Sequence, residues 1–171
     1  MFNAGLSNGN GVAQVTSHDL SPILRRELTD LLNRRLADTL DLMLQAKQAH
    51  WTVKGVNFLS LHELFDKIAT EAGEFADLLA ERIMQLGGTA EGTATAVVRI
   101  SQLDPYPVTL SHSDGHIRCL SSALGRYAHL VRKAIAECEH RDDAATADIF
   151  TEMTRAADKW LWMVGAHKER H

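Results

Sequence analysis

Residues 47–88 read KQAHWTVKGVNFLSLHELFDKIATEAGEFADLLAERIMQLGG and hold five potential metal ligands in one geometry: His50, His62, Asp66, Asp77 and Glu81. His62 and Asp66 are spaced i, i+4, so on a helix one stands above the other. Asp77 and Glu81 repeat that spacing. At about 100° per residue, the four positions from His62 to Glu81 stay within a stripe about 100° wide. Imidazole with three carboxylates is a donor set that suits iron, manganese or zinc. The plain alternative is a solvated acidic face.

A second pattern argues against simple solvation. Ala69, Gly73, Ala76 and Ala80 fall among the acids at helical spacing. A solvated face would carry Lys, Glu or Gln there, whereas small residues let another helix approach, towards the ~8 Å end of interaxial distances. The expected partner is a second copy of this helix. Asp66 and Asp77 are eleven residues apart, about 16 Å along the axis, too far to share one ion. An antiparallel copy about a two-fold axis near Ala72 and Gly73 would bring Asp77 and Glu81 beside the other subunit's His62 and Asp66. Each end of such an isologous contact would then hold one composite site.

The runs KQAHW, NF followed by LHELFD, and DLLAERIMQLGG resemble the ferroxidase signature of the Dps family, the mini-ferritins. The resemblance extends through DPYP at 104–107, RKAI at 132–135, ADIF at 147–150 and DKWLW at 158–162, and covers roughly residues 20 to 165. It implies that His50, His62 and Asp66 come from one subunit and Asp77 and Glu81 from its two-fold mate. It also implies iron as the metal, hydrogen peroxide as the preferred oxidant of Fe(II), and ferric oxide stored in a hollow homododecamer. Iron and peroxide would be consumed together before hydroxyl radicals reach DNA. Coordination needs neutral imidazole nitrogens, so occupancy is expected to fail in acid.

Composition is that of an ordinary globular domain: 171 residues, 45% hydrophobic and 23% charged. A net charge of −4 sets up no global basic field for nucleic acid. The only cysteines are Cys119 and Cys138. Nineteen residues apart on one expected helix, they would lie about 28 Å from each other and cannot pair within a chain. Reduced thiols, with no ~20-residue apolar run and no signal-like opening, predict a cytoplasmic protein without a membrane segment.

Along the chain, residues 1–17 read as a flexible Gly/Asn/Ser-rich tail and 18–171 as a ferritin-like four-helix bundle domain. Asp19 or Ser21 caps the first helix, with Pro22 in its opening turn. Its expected inward stripe is Leu24, Leu28, Leu31, Leu36, Leu40, Met43, Lys47, His50, and Gly55 ends it. Ser60 and Glu63 read as a capping box for the second helix, which stops at Gly87–Gly88. A connector of about twenty residues is long for a bundle loop and predicts a short helix near 95–102. The third long helix turns Ile117, Leu120, Leu124, Tyr127, Val131, Ala134 and Cys138 inward. The fourth runs from about Ala144 to Ala166, with Phe150, Met153, Ala157, Trp160 and Val164 inward. The expected architecture is all-α, a ferritin-like four-helix bundle with an extra short helix in its long connection.

Other motifs carry less. HELFD lacks the second histidine of a zinc-protease HExxH. Glu137 to His140 spells ExxH only once, near a helix end where a histidine also suits the dipole. Trp51 has two readings, a cover over the metal and interface packing. Two departures from the family pattern stand out. DNA-binding members present an N-terminal arm with several lysines or arginines, and residues 1–17 contain neither. Phosphate neutralisation supplies most non-specific affinity for DNA, so the sequence predicts no stable DNA complex. Lys168 and Arg170 flank Glu169 and substitute only in part. The family's iron pores carry aspartates along the third long helix, yet between Ser111 and Ala136 the only acid is Asp114. His112, His116 and His129 are the candidates to serve instead. The competing functional class is a structural nucleoid-binding protein whose iron chemistry is secondary.

Overall fold

Each long helix starts and stops where its terminal residues dictate. The computed structural model describes residues 19–168, so the expected 1–17 tail, Glu169 and Arg170 lie outside the described residues. The elements are α1 (Pro22–Thr52), α2 (Phe58–Gln85), α3 (Ala94–Ile100), α4 (Ser113–Glu139) and α5 (Ala144–Gly165). Of the two candidate caps for α1, Ser21 does the capping: its hydroxyl accepts the Leu24 N–H at 3.3 Å. Asp143 caps α5 by accepting the Thr146 N–H at 3.1 Å.

The capping box expected at Ser60 and Glu63 is not formed. Helix α2 begins earlier, with Asn57 at the cap position and no side-chain cap bond. Gly55, at φ +119°, turns the chain sharply enough for the Phe58 N–H to reach the Gly55 carbonyl at 3.1 Å. Ser60 is therefore already inside the first turn, and its hydroxyl donates back to the Asn57 carbonyl at 3.1 Å. At the other end Gly87, at φ +77°, donates to the Met84 carbonyl while Gly88 donates to the Ile83 carbonyl at 3.0 Å. That paired pattern is a Schellman stop. A Cβ on Gly88 would stand 2.6 Å from Thr29 Cγ2, so α1 crosses too closely there for any side chain.

Short turns join α1 to α2 and α4 to α5 as two antiparallel hairpins, which pack through a common core. Leu28, Leu32, Leu42, Phe65, Ile68, Leu79, Ile83, Leu124, Tyr127, Phe150, Met153 and Trp160 are all essentially inaccessible. The inward faces expected of α4 and α5 are the buried ones. On α1 the expected stripe drifts off the core in its second half. Leu42, Ala46, Ala49 and Val53 are buried there, while Leu40, Met43, Lys47 and His50 are only half-buried. A strict 3.5-residue spacing slips about 20° per heptad on a straight 3.6-residue helix, which carries the second half of that stripe to the flank.

The long connector is fastened by polar residues of α1. Buried Asp38 accepts the Gln102 N–H at 2.7 Å and pairs with Arg35 at 2.9 Å. Burial pushes the Asp38 carboxyl above its usual range, against the opposing charge of Arg35. Asp41 accepts from the Ser101 hydroxyl at 2.6 Å, and Gln45 donates to the Asp104 carbonyl at 3.0 Å. Buried charges need such partners to be tolerable. No helix among the described residues is long and apolar enough to cross a membrane.

Candidate metal centre

His50 closes α1 and His62 opens α2, and the hairpin stacks their rings face to face, centroids 3.8 Å apart. Each ring donates through Nδ1 to the other residue's backbone carbonyl, His50 to His62 O and His62 to His50 O, both at 2.8 Å. A carbonyl only accepts, so both Nδ1 atoms carry the hydrogen, which makes Nε2 the nitrogen each ring can offer a metal when neutral. Fixing one nitrogen to a carbonyl is how proteins orient metal-binding histidines. Asp66 lies one turn along α2 and shares a cleft of about 590 Å³ with the two histidines.

The Asp66 carboxylate is held by Lys47 of α1 in a close ion pair. That hydrogen bond first, then the charges of His50 and His62, holds Asp66 below the usual carboxylate range. Sequence reading placed Lys47 in the inward stripe and missed this role. The available signal was its position three residues before His50 on the same helix face. An ammonium thus sits where a metal ion's charge would be felt.

Asp77 and Glu81 stand apart from this group. Both are exposed, and among the described residues neither makes a hydrogen bond or an ion pair. They line a second cleft, about 720 Å³, between α2 and α5, with Arg155 and Lys159 opposite. Glu71 and Glu74 border both clefts. Among the described residues of one chain, no three His, Cys, Asp or Glu side chains converge closely enough to hold an ion. One chain therefore brings three of the five expected ligands to one cleft and leaves two on another.

Two sequence-based expectations change. The small-residue ridge does not lie open for a second copy: Ala69 and Ala76 are buried in the chain's own core, and Gly73 faces Met43 of α1, whose sulfur would lie 3.5 Å from an added Cβ. The ridge serves the α1–α2 packing. His116 is fully buried, its Nδ1 2.6 Å from the Tyr106 hydroxyl, and lines no surface. His112 and His129 remain exposed. Cys138 is buried as expected, and burial pushes its thiol up to about 12; Cys119 is half-buried, and both cysteines are free.

With this geometry in view, comparison with known proteins is decisive about kinship. A family model described as "Ferritin-like domain" matches residues 29–170. A "DNA protection during starvation protein" of Agrobacterium fabrum is 40% identical over 152 residues, 89% of this chain and 94% of that protein. The solved structure "Mycobacterium smegmatis Dps tetragonal form" superposes with a TM-score of 0.87 at 30% identity, covering 92% of this chain and 96% of that one. "Structure of Dps from MICROBACTERIUM ARBORESCENS in the high iron form" gives 0.82 at 26% identity, covering 90% and 98%. The fold and the match along its length define a ferritin-like protein. Within that class, the chain belongs to the Dps family.

Proposed function

We propose that this protein oxidises Fe(II), with hydrogen peroxide as preferred oxidant, at sites shared between two copies, and stores the ferric product inside a hollow homododecamer. His50, His62 and Asp66 of one copy and Asp77 and Glu81 of its mate form each site. Iron is the substrate and cargo, and the benefit is protection of cytoplasmic DNA from iron–peroxide chemistry. The observation that carries this reading is the reciprocal histidine latch, which presents two oriented lone pairs beside a carboxylate. The family's name and the high-iron relative point the same way. The exposed Trp51, Val56 and Leu59 beside the latch, 65%, 99% and 63% accessible on the single chain, make that end of the hairpin suited to burial against another copy.

Chemically, the rings supply neutral donors and the carboxylates supply negative charge. That charge favours Fe(III) over Fe(II), so oxidation is helped by ligands that bind the product better than the substrate. Lys47 must leave Asp66 as iron arrives, and its positive charge is exchanged for the metal's.

The test joins two assays on the assembled protein: absorbance growth of ferric product from Fe(II) and peroxide, and a gel shift with linear duplex. Ferric product formed without a stable DNA complex is expected, with plasmid protection lost in a His62→Ala/Asp66→Ala variant. A salt-sensitive DNA complex, with protection surviving that double substitution, would instead establish the structural nucleoid-binding role.

A further inference from the structure

Helix α4 begins without a side-chain cap. His112 stands at its cap position and makes no side-chain bond to the helix, so the first N–H groups of α4 need acceptors from elsewhere. One acceptor comes from the turn that closes the α1–α2 hairpin. The Ser113 N–H donates to the Lys54 carbonyl at 3.2 Å, and Lys54 pairs with His112 as an isolated parallel bridge. Among the described residues this is the only hydrogen bond from residues 53–57 to an element outside their own hairpin. The fit is close: a Cβ on Gly55, whose φ of +119° makes the turn, would meet the Ser113 Oγ at 3.4 Å. A second contact lies three residues along α4. There the buried ring of His116 packs on Phe65 of α2, the residue before Asp66, with centroids 6.3 Å apart.

The turn so fastened is the one that brings His50 and His62 together. Each ring of the latch donates to a carbonyl across this hairpin, and both bonds last only while the hairpin end stays closed. Lys54, Gly55 and Val56 are exposed on the single chain, and a turn of that kind opens readily unless another element holds it. The Lys54 carbonyl satisfies an N–H at the positive end of a 27-residue helix, and the helix in return keeps the turn from swinging out.

We propose that Ser113 is a positioning residue for the metal half-site: its main-chain N–H pins the α1–α2 turn shut, so the start of α4 governs how firmly His50 and His62 are aimed. This rests on the functional reading above for the metal, and on the hairpin geometry for the aim. The coupling runs both ways, because linked equilibria shift each other by the same factor. Metal that fixes the two imidazoles closes the turn, and a closed turn presents the Lys54 carbonyl to Ser113.

Ser113→Pro cuts the bond. Proline is favoured at a first helical position, and His112 already has the extended backbone, φ −85° and ψ 142°, that a residue before proline adopts. The substitution removes the donor and sets a ring carbon against the Lys54 carbonyl, whereas Ser113→Ala keeps the N–H. In the assembled, metal-free protein, Ser113→Pro should speed hydrogen exchange of the Phe58 amide roughly 2–10-fold, the range of one backbone hydrogen bond, and weaken Zn(II) binding. Nitrogen-15 spectra of the rings should show the Nδ1–H form of His50 and His62 giving way to Nε2–H, the form free imidazole prefers. A loss of general stability alone would leave that ring signature in place. Ser113→Ala should match wild type in all three. Exchange and ring spectra unchanged in Ser113→Pro, or its effects reproduced by Ser113→Ala, overturn the proposal. If Ser113→Pro fails to fold, wild type decides: Zn(II) should slow exchange of the Ser113 amide several-fold, and should no longer do so in His62→Ala. An amide indifferent to bound Zn(II) overturns the coupling. Wild type that binds no Zn(II) would count against the metal reading alone, and the ring shift in Ser113→Pro would still support the pin.

Discussion

The two halves of α2 carry the same i, i+4 ligand spacing and live in opposite conditions. In the first half, His62 is latched to His50 and Asp66 is held by Lys47, so every donor has a partner in the same chain. In the second half, Asp77 and Glu81 face solvent with none among the described residues. Orientation is needed where imidazoles must present one particular nitrogen; carboxylates present acceptors on every side and lose little by being free. The proposed shared site, divided this way, would keep its geometric precision on one subunit and two of its three carboxylates on the other.

The sharpest break of this comparison is to remove each half separately. His62→Ala/Asp66→Ala and Asp77→Ala/Glu81→Ala should each lower peroxide-driven Fe(II) oxidation by more than the roughly 10–100-fold that loss of an outer-shell partner costs. Reassembled mixtures of the two should regain part of the activity, because one composite site in each heterodimer keeps all its ligands. Mixtures that stay inactive while reassembled wild type recovers would refute the two-subunit site.

A smaller effect is expected at the anchor of the second half. Arg82, next to Glu81, pairs with buried Asp143 at 3.1 Å, and Asp143 also caps α5. Burial alone would raise the Asp143 carboxyl, but hydrogen bonds from Thr146 and the charge of Arg82 outweigh it and hold it low. Asp143→Ala removes a cap and strands a mostly buried arginine, a loss of about 2–4 kcal/mol in urea unfolding. A folded-state pKa below the unfolded one contributes stability that is present above the ordinary carboxylate range and is lost as pH falls through the depressed value. Wild type and Asp143→Ala should therefore converge in stability in acid. A pH-independent gap would assign the effect to packing.

Lys47→Gln tests the first half more gently. Without the ammonium, Asp66 is free for a metal, and Fe(II) or Zn(II) affinity should rise by no more than several-fold, because solvent screens an exposed ion pair. Titration of the metal-free protein reads this directly; weaker binding would mean that Lys47 positions Asp66 for the metal. The smallest expected change is at Asp142, whose φ of 55° is unusual for a residue with a side chain. Asp142→Gly should leave metal binding untouched and raise stability by about 0.5–1 kcal/mol; a loss would show that the carboxylate does something there.

Much of this was legible in the residues because the signals are local. Ser21–Pro22, the Gly87–Gly88 stop and the 3.6-residue stripes of α4 and α5 report on backbone geometry within one or two turns. The second-helix start was misjudged because Ser60 fits a cap by sequence, while Gly55 brings the chain into helix before it. The ridge of small residues was read correctly as a close approach, but periodicity does not say which helix approaches, and α1 arrived first. Lys47 on Asp66 and Tyr106 on His116 join residues from different elements, and no period within one helix encodes them. The five candidate ligands are named from spacing and resemblance, and the structure adds which of them share a cleft.

The latch between His50 and His62 has a consequence for how the site fails. Each ring is tied to the other residue's main chain, and a substitution keeps the main chain. Losing one histidine therefore deletes one donor without releasing the other from its tautomer. Damage to the pair is graded rather than all-or-none, and a lineage could trade one imidazole for another ligand while the survivor stayed correctly aimed. What would release both at once is opening of the five-residue turn between Thr52 and Phe58, since both carbonyls depend on that hairpin staying closed. The aim of the two imidazoles is thus insured against point changes and exposed to local melting.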